Sequence, residues 1–68
     1  MITEIGIVAG EIWHYLDQYG DVTLSVLLKG LGRPRENVLM SLGWLAREGH
    51  VLLQQHNDEY TISLRKDA

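Results

Sequence analysis

The hydrophobic period of this chain changes once, at Gly49, and that change limits what the chain can fold into. Before Gly49, apolar residues recur three and four apart, as on the buried stripe of a helix. After it, Tyr60-Thr61-Ile62-Ser63-Leu64 alternates apolar and polar with period two, as in a strand with one covered face, and Val51-Leu52-Leu53-Gln54-Gln55 is a second run of strand length. The polar segment His56-Asn57-Asp58-Glu59 between them has the length of a hairpin connection. The order is therefore helices first, then one β-hairpin.

Three helices are predicted. Ile5, Val8, Ala9, Ile12, Leu16 and Tyr19 share one stripe, with Glu11, His14 and Gln18 opposite and Gly20 available for a left-handed C-terminal residue. Trp13 and Ile2 lie at the edge of this stripe, about 60–80° from its centre, so the apolar face is wider than one packing partner requires. Asp21-Val22-Thr23 reads as a short extended link, with Thr23 as N-cap of a second helix from Leu24 to Lys29 that Gly30 and Gly32 stop. Pro34 suits the first turn of a third helix, in which Val38, Leu39, Leu42, Leu45 and Ala46 form the buried stripe and Gly49 supplies the C-cap. Only Arg65 to Ala68 reads as a loose tail.

At 68 residues the chain has room for one small core, and a single domain spanning residues 1–68, with its core at about 4–64, is expected. With 46% hydrophobic residues and a net charge of −3, the composition is that of a folded module and not of a disordered segment. There is no cysteine, hence no disulfide framework and no thiolate zinc site. Stability must come from helix packing, from a partner, or from both. Met1 to Gly10 holds no Lys or Arg, and Glu4 and Glu11 interrupt the apolar residues near the N-terminus, unlike a signal peptide. No apolar run approaches the ~18 residues of a membrane span. A soluble, cytoplasmic protein is expected.

Two helices joined by a tight glycine-containing turn and followed by a hairpin describe a helix-turn-helix with a wing. The segment Leu39 to His50, LMSLGWLAREGH, resembles the stretch that ends the third helix and enters the wing in winged helix-turn-helix proteins. Leu42 and Leu45 match the buried leucines, Arg47-Glu48-Gly49 the helix end, and Val51 the first wing residue. The layout from Ile5 to Leu64 is similar to that of the small stand-alone winged-helix proteins of bacteria and archaea known as domains of unknown function. The resemblance implies an α+β, mainly helical fold, a three-helix core with a C-terminal hairpin wing. It implies either DNA recognition or protein contacts, since the fold serves both.

Catalytic and cofactor chemistry is not expected. The sequence holds no GxGxxG or GxxxxGK[ST] phosphate loop, and Gly30-Leu31-Gly32 before Arg33-Pro34-Arg35 reads as a turn. His14, His50 and His56 have no helical metal-pair spacing, and Ser25, Ser41 and Ser63 lack a nucleophile-elbow context. No small-molecule substrate is evident.

Charge is distributed unevenly. Met1 to Leu28 has four acids and no base, whereas Lys29 to Arg47 has Lys29, Arg33, Arg35 and Arg47 against Glu36 alone. This basic stretch coincides with the turn and third helix, where a winged helix meets phosphates. Lys29, Arg33, Arg35, Asn37 and Arg47 are therefore the candidate DNA-binding residues, with Asn37 nearest the bases. Against this, the outward face of the third helix carries Met40 and Trp44, which suit a dry protein interface, and the wing tip Asn57-Asp58-Glu59 is acidic. Trp13 and Trp44 either complete the core at its edges or, with Met40 and Leu52, form a dimer or partner interface. Two functions follow: a homodimeric DNA-binding regulator with weak affinity for duplex DNA, or a protein-interaction and dimerisation module.

Overall fold

In a computed structural model, which describes residues 2–65 and the side chains of 4–65, the element order is α1 (Ile2–Tyr19), β1 (Val22–Thr23), α2 (Leu24–Leu31), α3 (Arg35–Arg47), β2 (Val51–His56) and β3 (Glu59–Leu64). The strands form one antiparallel sheet in the order β1-β3-β2. The fold is the mainly helical three-helix unit with a β-hairpin wing that the period change implied.

Each boundary has a local cause. Gly20 ends α1 in the left-handed region (φ 82°), and its N–H donates to the Leu16 carbonyl at 2.8 Å. Thr23 caps α2, its hydroxyl accepting from the Val26 N–H at 3.3 Å. Pro34 sits one residue ahead of α3, and its carbonyl accepts from the Val38 N–H. At the far end Gly49 (φ 80°) donates to the Ala46 carbonyl and His50 to that of Leu45, the paired bonds of a Schellman motif. That motif turns the chain out of α3 and into β2.

The core joins every layer: Val8, Ile12 and Leu16 from α1, Leu27 from α2, Val38, Leu42 and Leu45 from α3, and Val51 and Ile62 from the sheet. Register follows from the period of two. Val51 pairs with Leu64 and Leu53 with Ile62, so these four share the sheet face toward the helices, while Leu52, paired with Ser63, lies on the other face.

The structure corrects several local expectations. Helix α2 runs through Gly30 to Leu31, and Gly32 (φ 66°) alone ends it. Gly30 answers a different need, because a Cβ there would stand 2.5 Å from the Tyr15 ring. The extended link is a true strand, its Val22 opposite Ile62 and Thr23 opposite Thr61. The hairpin closes in two residues, Asn57 and Asp58, with Asn57 left-handed (φ 59°) and His56 and Glu59 already paired. Tyr19 is exposed, and Tyr15 takes the half-buried place on the core with its ring 4.6 Å from that of Tyr19. Leu39 leaves the buried stripe of α3, and Ser41 replaces it there. The Ile2 side chain and the tail beyond Arg65 lie outside the described residues.

Candidate nucleic-acid and partner interface

The basic stretch divides into cations held by α1 and cations that are not. Arg33, in the turn between α2 and α3, grips Glu11 with both ends of its fork: Nε donates to Oε1 at 2.9 Å and Nη2 to Oε2 at 2.6 Å. The hydrogen bonds from Arg33 hold the Glu11 carboxyl below its ordinary pKa against the opposing effect of burial, with the Arg33 charge adding to the lowering. The pairing raises the Arg33 pKa in turn, with the charge of Glu4 adding to the effect. Asn37 is half-buried, and its Nδ2 donates to Glu4 Oε2 at 3.2 Å. Glu4 and Glu11 of the first helix thus face the basic stretch within one molecule.

Lys29, Arg35 and Arg47 are exposed and, among the described residues, have no carboxylate partner. They are scattered. Lys29 lies in the last turn of α2, and Arg35 and Arg47 stand at opposite ends of α3, about 18 Å apart along an axis that rises 1.5 Å per residue.

On the outer face of α3, Met40 and Trp44 lie one turn apart and are 53% and 48% exposed. The Trp44 ring is 6.3 Å from that of His50, inclined by 36°. Trp13 is 39% exposed with the His14 ring against it, and Leu52 is 48% exposed on the outer sheet face. All four residues of the predicted partner interface therefore offer apolar surface. Neither tryptophan belongs to the buried core cluster or to the partly buried residues packed against it.

A second apolar feature went unread in the sequence. Between α3 and the wing lies a half-open groove of about 390 Å³. Its helical wall is Leu39, Leu42 and Gly43, its sheet wall Leu53, Tyr60 and Ile62, and Leu24 of α2 and Arg35 at the start of α3 complete the lining. Gly43 makes the notch, since a Cβ there would meet nothing within 4 Å. The available signal was the pair Leu39 and Gly43, one helical turn apart, where a large apolar residue neighbours one with no side chain.

The wing is pinned as well as hydrogen-bonded into the sheet. Glu59 Oε2 accepts from the Ser25 hydroxyl at 3.1 Å and from the Ser25 N–H at 3.4 Å, so a carboxylate from β3 meets the first turn of α2. Of the acidic tip read from the sequence, Asn57 and Asp58 are exposed, whereas Glu59 is half-buried in this contact.

Among the described residues no helix is long and apolar enough to cross a membrane, and no three His, Asp or Glu side chains converge as a metal site would require. Residues 1–64 match a family model described as a winged helix-turn-helix domain (DUF2582). Over 65 residues the chain is 35% identical to the uncharacterized protein MJ1608 of Methanocaldococcus jannaschii, with 91% of each chain covered. It is similar to the solution NMR structure of protein BT2368 from Bacteroides thetaiotaomicron, with a TM-score of 0.79 and 27% identity over 91% of this chain and 76% of that one. Sequence, fold and helix-to-wing connection agree, and the chain belongs to the DUF2582 family of winged helix-turn-helix domains.

Proposed function

We propose that this winged helix is a protein-contact module that self-associates through the outer face of α3. The observation that carries this reading is the exposure of Trp44 and Met40, one turn apart, on the helix face that a DNA-reading winged helix turns to the bases. A large aromatic and a methionine side by side are what the dry centre of an interface uses, and a small domain without disulfides gains a second core by pairing. Held by Glu11 and Glu4, Arg33 and Asn37 are less available to phosphates and bases than their sequence suggested.

Light scattering at tens of micromolar tests this. A species of about twice the 7.7 kDa chain mass is expected, and Trp44→Glu should shift it toward monomer, because a carboxylate forced into an apolar contact is costly. A native protein that stays monomeric at millimolar concentration removes the self-association.

Lys29, Arg35 and Arg47, exposed and without carboxylate partners, favour a second reading, weak regulatory contact with duplex DNA. Three cations limit its log–log salt slope to about −3, at about −0.9 per phosphate. Replacing Asp58 with Asn should strengthen such binding by relieving repulsion at the tip. If fluorescence anisotropy detects no binding even at about 20 mM salt, where exposed charges are least screened, the DNA reading fails.

A further inference from the structure

We propose that the groove between α3 and the wing is a docking site for a partner protein segment that presents a large apolar side chain beside a carboxylate. The site is distinct from the Trp44 face: Leu39 and Gly43 lie on one helical stripe and Met40 and Trp44 on the next, roughly 100° around the axis. Its chemistry is legible from its walls. Five leucine and isoleucine side chains and the Tyr60 ring line a space of about 390 Å³, which accepts a side chain the size of Trp or Leu, and Gly43 leaves its part of the helical wall without a side chain.

Charge specifies the rest. Arg35 is the one charged residue of the lining, and among the described residues no carboxylate pairs with it. A carboxylate next to the anchoring side chain meets that charge, and a basic neighbour is repelled by it. The form of the groove selects a protein segment over a small molecule. Small-ligand sites enclose most of their ligand, but Leu39, Leu53 and Tyr60 are each about two-fifths exposed, so one side of the groove is open. A segment that buries one side chain and covers the rim with its own backbone fills such a shape.

The test is a heteronuclear NMR titration of the whole chain with the capped tetrapeptide acetyl-Ala-Trp-Glu-Ala-amide and its counterpart with Gln in place of Glu. Perturbed amides are expected at Gly43, Leu53 and Tyr60, with a Kd on the order of 1 mM for so short a probe. The Glu peptide should bind about two- to fivefold tighter than the Gln peptide, as an exposed ion pair allows, and Arg35→Gln should erase that difference. Gly43→Leu, which places a side chain in the groove on a helix that tolerates it, should abolish binding of both peptides while the folded spectrum persists. No perturbation at these amides up to about 10 mM peptide, a range that would reveal even millimolar binding, overturns the proposal. So does equal affinity for the two peptides, a perturbation centred on Trp44 instead, or movement of the Leu53 and Tyr60 amides on dilution of the Trp44→Glu chain, which would give the groove to a second copy.

Discussion

On the side of α3 that packs into the core, Val38, Ser41 and Leu45 are at most 3% exposed, and even the one polar group is satisfied, the Ser41 hydroxyl donating to the Ile5 carbonyl of α1 at 3.2 Å. On the side toward the wing the same helix leaves Leu39 39% exposed, and a Cβ added at Gly43, one turn on, would meet open space. Nothing in the local propensity of the helix requires this difference. The inner side has α1, a helix of 18 residues, laid against it, and the outer side faces a hairpin whose inward Leu53 and Tyr60 stand away from it. Close packing on one side fixes the fold, and its incompleteness on the other leaves surface for contact.

The largest test of this contrast is a pair of truncations on α3. Leu45→Ala should cost about 2–5 kcal/mol, close to the whole stability of so small a domain, whereas Leu39→Ala should cost about 1 kcal/mol or less because less area returns to water. Thermal melts followed by circular dichroism read both, and equal losses would mean that the two sides are packed alike.

Two helical glycines sharpen the comparison. At Gly30 an added Cβ must displace the Tyr15 ring, so Gly30→Ala should destabilise by about 1–3 kcal/mol despite its better helix propensity. At Gly43 the Cβ enters open space, and Gly43→Ala should stabilise by about 0.5–1 kcal/mol. Chemical denaturation of the two variants should give opposite signs.

The smallest effect concerns the Glu11–Arg33 pair. Because the Glu11 pKa is lowered by folding, its contribution is present above its ordinary value of 4.5 and is lost as pH falls through the lower folded value. The melting point of Glu11→Gln should lie slightly below that of the native chain at pH 7 and converge with it as the pH falls below the lowered Glu11 value. The gap should also narrow in high salt, as expected of a pair that is only partly buried.

How much of this was legible in the sequence follows the range of each interaction. Most of each helix stripe, the Thr23 cap and the Gly49 turn are settled by neighbours a few residues away and were readable, Tyr19 and Leu39 being the exceptions. Pairing of Val22 with Ile62 joins residues 40 apart, so a two-residue strand read as a link. Leu39 read as core because it adjoins the buried stripe, and only the folded arrangement of helix and wing shows that it stays two-fifths exposed. The charge pattern was visible, but its use was not. Glu11 meets Arg33 across 22 positions and Glu59 meets Ser25 across 34, which turns a stretch that read as phosphate-binding partly into an internal neutralisation, and part of an acidic wing tip into a tether.

The concentration dependence of thermal unfolding tests the central claim, that α3 keeps an outer face for another protein molecule, most directly. If two copies pair through Trp44 and Met40, the melting point of the native chain should rise by about 5–10 °C per hundredfold increase in concentration, because association stabilises the folded state by mass action. The Trp44→Glu chain should melt at one temperature throughout that range. A native melting point that does not move between micromolar and millimolar chain, or one that moves equally in Trp44→Glu, would contradict the account.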